Sequence, residues 1–186
     1  LLRAIYSIPM RYELLPTKVS IAFYTRPDWA ASRHKIQATI VGWLCNTCIH
    51  HCGIMISRDN NTIVLASDKY HRARFIDQEP YHQRIMKPVL VIELGELNLS
   101  VKQLTDYMKE PYKGDARSLI FWFFIARFIF PGLTPKSCST LSCQLLRIAG
   151  YEIKDCGTPI ELYKEIQDKG KIKTWKEFAE ENNLRS

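Results

Sequence analysis

Cys138 stands where a cysteine can act as a nucleophile. A helix is predicted from about residue 139 to 149, ending at Gly150, because glycine most easily adopts the left-handed conformation that ends helices. At a helix start, unpaired backbone N–H groups and the positive end of the dipole stabilise a thiolate and lower the pKa of the thiol. Cys138 is therefore the candidate nucleophile. Cys143 lies more than one turn inside the same helix, on a face with Leu146, and is predicted to be a packed thiol.

His51 is the candidate proton-transfer partner of Cys138. A thiolate that attacks a carbonyl needs a group that protonates the leaving group and later deprotonates water, and histidine does both near neutral pH. His51 precedes Cys52 and Gly53 at the start of a strand, from which its ring could face the helix. Spacing alone gives weak support for the pair, since a free cysteine usually packs and a strand histidine usually makes a local hydrogen bond.

Zinc is the strongest rival interpretation of the region around His51. Cys45 and Cys48 have the spacing of paired zinc ligands, and His50, His51 and Cys52 follow at once. A second pair at finger-like spacing is missing, and adjacent side chains on a strand point to opposite faces, which separates His51 from Cys52. We therefore expect Cys45 and Cys48 to be packed thiols, and the protein to hold neither a metal nor a cofactor.

Strands in the first half of the chain must position His51. Strand-forming composition marks residues 18–24, 52–56, 62–66, 73–76 and 89–94. The polar segment between the second and third of these strands predicts a hairpin. A helix is expected between the first two strands, from Asp28 to Leu44.

Helices in the second half must position Cys138, and capping boxes mark three helix starts. In a capping box a Ser or Thr and a Glu or Gln three residues later satisfy each other's backbone N–H groups. The pairs are Ser100 with Gln103, Thr158 with Glu161, and Thr174 with Glu177. The whole pattern predicts an α+β fold in which an antiparallel β-sheet packs against helices.

The longest apolar stretch runs from residue 119 to 130. It contains Arg127 and stops at Pro131, well short of the roughly 20 residues that a membrane-spanning helix needs. We therefore expect a buried helix there rather than a transmembrane segment.

The composition is that of one globular domain. The 186 residues carry a formal net charge of +7, with 46% hydrophobic and 24% charged residues, so neither a disordered nor a fibrous chain fits. The net charge favours contact with nucleic acid, anionic lipid or an acidic polymer. The basic residues are spread along the chain without a run, so no specific nucleic-acid binding is predicted. The six cysteines lack the spacing of a disulfide scaffold and the N-terminus lacks a secretory signal. We therefore expect reduced thiols and an intracellular place of synthesis.

Two short motifs resemble the permuted NlpC-type papain-like superfamily and its lecithin retinol acyltransferase-like relatives. Residues 51–54, HCGI, are similar to the family's His-hydrophobic-Gly-hydrophobic signature, and residues 138–141, CSTL, are similar to its Cys-Ser-x-Leu helix. In that family a sheet histidine precedes a cysteine at a helix start, as His51 precedes Cys138 here. The narrowest resemblance, over roughly 18–166, is to small phage-encoded peptidases, which have a Pro-Tyr helix start similar to Pro111-Tyr112.

The resemblance implies a circularly permuted papain-like domain at 18–168, an N-terminal extension at 1–17 and a C-terminal helical extension at 169–186. It implies a cysteine peptidase, amidase or acyltransferase in which Cys138 forms a thioester and His51 transfers protons. The expected substrate is a peptide or acyl group. Peptidoglycan is the first choice, because the basic surface suits an anionic polymer, and a lipid ester is the second.

The third residue of the family's catalytic site is the point at which this sequence departs from the pattern. Relatives usually have a polar residue in the strand after the histidine, where this chain is apolar up to Ser67. Ser67 is the nearest substitute. The alternative function is therefore a catalytically inactive phage structural or genome-delivery protein of the same fold, assembled with other virion proteins in a phage particle.

Overall fold

An antiparallel β-sheet is the frame of the protein. The computed structural model describes residues 15–25, 48–58, 61–65, 74–75, 88–100, 102–103, 121, 125, 127–130 and 137–182. The strands within these ranges are β1 (Leu15–Thr25), β2 (Ile49–Arg58), β3 (Asn61–Leu65), β4 (Arg74–Phe75), β5 (Pro88–Leu99) and β6 (Lys171–Thr174). Their order across the sheet is β4-β3-β2-β1-β5-β6, and each neighbouring pair is antiparallel. The β2–β3 hairpin confirms the one predicted from the sequence.

Helices follow the sheet in the second half of the chain. In the described ranges they are α1 (Arg127–Ile129), α2 (Cys138–Ile148), α3 (Pro159–Ile166) and α4 (Trp175–Glu181). The capping boxes predicted for α3 and α4 are both present. At the third, the Gln103 side chain accepts from Ser100 N at 2.9 Å, and Ser100 Oγ accepts from Gln103 N at 3.1 Å. The α+β expectation is therefore confirmed.

The two faces of the sheet are covered by different helices. On one face, alternate residues of β1, β2 and β5 pack against α2 and α3 and form the larger core. On the other face a smaller cluster joins Ala22, Tyr24, Met55 and Val91 to Phe178 of α4. Because side chains alternate along a strand, each strand residue belongs to one of the two cores. Cys138, at the start of α2, packs against the larger core.

Strand β6 was not predicted, and it ties the C-terminal segment to the sheet. It pairs with β5, and Gly170 just before it lies against that strand so closely that a Cβ there would be 2.5 Å from the carbonyl oxygen of Glu93. Lys173 of β6 is buried and forms an ion pair with Glu93 at 2.6 Å and another with Glu181 of α4. The segment predicted as a helical extension thus also contributes an edge strand.

The described part of the apolar run at 119–130 does not show the burial expected from the sequence. Its described residues are exposed: Phe121, Ile125, Phe128, Ile129 and Phe130. Among the described residues, the helices that cover the two faces of the sheet are α2, α3 and α4. Within the described residues, no helix has the length and apolar character needed to cross a bilayer.

Several sequence predictions fall outside the described residues. They are the helix at 28–44, the Pro111-Tyr112 helix start, Cys45 and Ser67.

Candidate active site

A bulge at the start of β2 positions His51 and Cys52. Tyr24 of β1 pairs with His51 while the next residue, Thr25, pairs with Ile49, so His50 is an extra residue on β2. Bulges of this kind re-aim the side chains around them. Beyond the bulge the alternation is regular, and Cys52 and the alternate residues after it belong to the core that α2 covers.

The N-cap of α2 fixes Cys138 as the first helical residue. The Ser137 hydroxyl accepts a hydrogen bond from the backbone N–H of Thr140 at 3.2 Å and donates one to the carbonyl of Gly157 at 2.9 Å. A capping box completes the turn, because the Thr140 side chain accepts from the Ser137 N–H. The Cys138 thiol is thereby held at the positive end of the helix, as the sequence predicted.

Cys138 contacts both Cys52 and His51. Hydrogen bonds from the Cys52 thiol and the His51 ring, together with the positive charge of the imidazolium, hold the pKa of Cys138 well below its ordinary value. Burial opposes this shift but does not cancel it. The structure therefore brings the two residues of the predicted pair together. Strand alternation separates His51 from Cys52 as expected. Cys52 belongs to the core that α2 covers, whereas the His51 ring lies beside Tyr24, which belongs to the cluster on the other face. The Cys138 thiol nevertheless interacts with both side chains.

Cys52 is the site residue that the sequence interpretation missed. Its side chain is 1% exposed, and burial, the hydrogen bond to Cys138 and the negative charge of Cys138 raise the pKa of Cys52 well above its ordinary value. Its Sγ lies 3.9 Å from Ser142 Oγ, and the Ser142 hydroxyl donates to the Cys138 carbonyl at 2.9 Å. The alternation of residues 52, 54 and 56 indicated a buried face, but it did not indicate which helix would cover that face.

Tyr24 forms an aromatic wall beside the histidine. Its ring centroid is 5.4 Å from that of His51, at an interplanar angle of 46°. The side chain is buried, and burial raises the pKa of Tyr24, so its hydroxyl stays protonated. Tyr24 thus restricts the positions open to the imidazole.

A second thiol pair, Cys143 and Cys156, lies in the core below the site. Both side chains are buried, which confirms the packing expected of Cys143. The hydrogen bond from Cys156 lowers the pKa of Cys143, and the same bond, with burial, raises the pKa of Cys156. A low pKa is therefore not unique to Cys138, but Cys138 combines it with partial exposure.

The zinc interpretation finds no support in the described residues. Among them, no group of three or more His, Cys, Asp or Glu side chains is arranged to hold a metal ion. Cys48 is exposed, so the expectation that it is a packed thiol is wrong; it lies just before β2, outside the core.

No protein-family model matches the chain, and neither does any curated protein or solved structure. The chemistry of Cys138 and His51 is therefore argued from their placement and their electrostatics.

Proposed function

We propose that this protein is a cysteine hydrolase or acyltransferase of the circularly permuted papain-like type, in which Cys138 carries the acyl group as a thioester. One observation supports this above all: Cys138 lies at a helix start, partly exposed, with its thiolate stabilised by His51. The pairing of a strand histidine with a later helix-start cysteine is the order implied by the sequence resemblance.

The reaction begins with the Cys138 thiolate attacking the substrate carbonyl, which forms an S–C bond and an oxyanion. The backbone N–H of Cys138, which has no partner inside its own helix at this position, is the proposed donor to that oxyanion. The imidazolium of His51 protonates the leaving group as its bond to the carbonyl carbon breaks. Neutral His51 then takes a proton from water or another acceptor, which attacks the thioester and releases Cys138.

The proposed substrate is an acyl or peptide group on an anionic polymer, with cell-wall peptide first. The formal net charge of +7 favours association with such a polymer. The charge acts on encounter with the substrate, while Cys138 and His51 carry the chemistry.

The test is direct capture of the thioester. The protein is incubated with p-nitrophenyl acetate, and the acetylated residue is mapped by mass spectrometry. We expect a hydroxylamine-labile acetyl group at Cys138 that persists longer in His51→Ala, because deacylation lacks its base. Purified peptidoglycan is then tested for release of new amino groups by the unmodified protein.

Cys143→Ser is the matched control for the capture experiment, since Cys143 is buried in the same helix, and it should acetylate normally at Cys138. An acetyl group spread over several residues, or none at Cys138 in a folded protein, contradicts the proposal and favours the inactive structural alternative.

A further inference from the structure

The nucleophile has a second thiol in direct contact with it. Cys138, in the first turn of α2, packs against the buried cluster that contains Cys52 of β2, and both are free thiols. The two thiols are close enough to shift each other's pKa. Ser142 joins the two, because its hydroxyl binds the Cys138 carbonyl and its oxygen lies 3.9 Å from the Cys52 sulfur. The acyl-transfer mechanism has no step for Cys52.

The two thiols differ in their access to solvent. Cys138 is partly exposed, whereas Cys52 belongs to the buried core. A small reagent therefore reaches Cys138 first, and Cys52 can react only with what has formed on Cys138. This arrangement, with an accessible thiolate beside a protected thiol, is typical of cysteines that are oxidised reversibly.

We propose that Cys138 and Cys52 form a peroxide-sensitive redox pair, in which oxidation of Cys138 is resolved by Cys52 to an intramolecular disulfide. The proposal goes beyond the acyl transfer proposed above and does not depend on it, because it requires only a reactive thiolate at Cys138. Its consequence for that function is reversible loss of the nucleophile.

The first step oxidises Cys138. Its thiolate attacks one oxygen of hydrogen peroxide, so that an S–O bond forms and the O–O bond breaks. Hydroxide leaves and takes a proton from the imidazolium of His51 to give water. The sulfur of Cys138 has lost two electrons to the peroxide and is now a sulfenic acid.

The second step consumes the sulfenic acid. The sulfur of Cys52 gives up its proton and attacks the sulfur of Cys138, so that the S–S bond forms and the S–O bond breaks. The departing hydroxide takes the Cys52 proton and becomes the second water. Together, two thiols and one peroxide give one disulfide and two waters.

The position of the pair suits this bond. To form the disulfide, the two sulfurs must come together to about 2.05 Å, with the Cβ atoms roughly 3.5–4.5 Å apart. Cys52 lies on a strand two residues beyond the bulge at His50, and Cys138 lies in the first turn of a helix that packs on this strand. The disulfide would also protect Cys138, because oxidation beyond the sulfenic acid is irreversible in most proteins.

Cys143 and Cys156 provide an internal control. They are also in contact and both free, but both are buried. If contact between two thiols were sufficient, Cys143 and Cys156 would be oxidised as readily as Cys52 and Cys138. Because peroxide reaches Cys138 but not the buried pair, we expect oxidation of Cys52 and Cys138.

The experiment treats the reduced full-length protein with one equivalent of hydrogen peroxide, blocks free thiols with N-ethylmaleimide and maps the peptides without reduction. We expect a linked pair of peptides carrying Cys52 and Cys138, a loss of two hydrogens per chain, and full recovery of both thiols with dithiothreitol. In Cys52→Ser we expect a sulfenic acid at Cys138 that dimedone traps, followed by irreversible oxidation. Cys156→Ser should behave as the unmodified protein does.

A disulfide between Cys143 and Cys156 instead, or irreversible oxidation of Cys138 at the same rate with and without Cys52, overturns the proposal. If Cys52→Ser does not fold, the peptide map of the unmodified protein decides alone. Peptide mapping also separates this proposal from the acyl-transfer one, since the disulfide requires no substrate.

Discussion

At the scale of single residues, the reactivity of Cys138 rests on two neighbours rather than one. The largest contribution to its low pKa is the hydrogen bond from Cys52, and the imidazolium of His51 adds its charge and a second hydrogen bond. Burial opposes both. Of the two neighbours, only His51 can transfer protons near neutral pH, because the pKa of the Cys52 thiol is raised well above its ordinary value.

Cys138 was predictable from its position, while Cys52 was not recognised. The helix-start rule depends only on local sequence, and the Gly150 that ends the helix has the expected positive φ of 89°. The role of Cys52 depends on which helix covers its face of the sheet, which is a tertiary fact. The bulge at His50 is also a tertiary feature that local sequence does not reveal, because it arises from the pairing of β1 with β2.

At the scale of elements, the N-cap of α2 connects folding to reactivity. We expect Ser137→Ala to lower the free energy of unfolding by about 1 kcal/mol, the usual cost of a lost N-cap. It should also slow alkylation of Cys138, because the first turn loses its anchor to Gly157. Urea unfolding and the iodoacetamide rate at neutral pH measure the two effects.

Thr174→Ala is the matched control for Ser137→Ala, since Thr174 is the N-cap of α4 with the same capping box. It should cost similar stability and leave the rate at Cys138 unchanged. Equal rates in both variants would show that the cap does not position the thiol.

The elements differ in how well the sequence predicted them. Capping boxes and the hairpin rest on contacts between near neighbours, so Thr158 with Glu161 and the β2–β3 turn were predicted correctly. Strand β6 has only four residues, with Ile172 exposed and Lys173 buried, the reverse of what hydrophobicity indicates. Two carboxylates make the burial of Lys173 possible, and these partners come from β5 and α4.

At the scale of the whole molecule, the sheet is stabilised from both sides. Phe178 of α4 is 1% exposed and packs against Ala22, Tyr24, Met55 and Val91 on the face opposite α2. We expect Phe178→Ala to lower the free energy of unfolding by about 3 kcal/mol through lost burial and the cavity left behind. The shift in the urea midpoint measures it.

Phe128→Ala is the control for Phe178→Ala, because the Phe128 side chain is 70% exposed. Its effect should remain within about 0.5 kcal/mol. If Phe178→Ala lowers the free energy of unfolding no more than Phe128→Ala does, the C-terminal helix is a separate extension rather than part of the core. Which apolar segments are buried was hard to predict from the sequence. Hydrophobicity indicated burial of the run at 119–130, yet Phe121, Phe128 and the other described apolar residues of this run are exposed.

The central claim is that Cys52 and His51 together hold Cys138 as a thiolate, and the pH dependence of Cys138 alkylation tests it most directly. The thiolate is the reacting form, so the iodoacetamide rate rises with pH and reaches half its maximum at the pKa of the folded thiol. Since that pKa is lowered, the midpoint should lie below the value of about 8.5 for a free cysteine, and His51→Ala should move it upward. Cys143, with its side chain 0% exposed, should stay unlabelled until the protein unfolds. A midpoint at the free-cysteine value, unchanged in folded His51→Ala, would contradict the account.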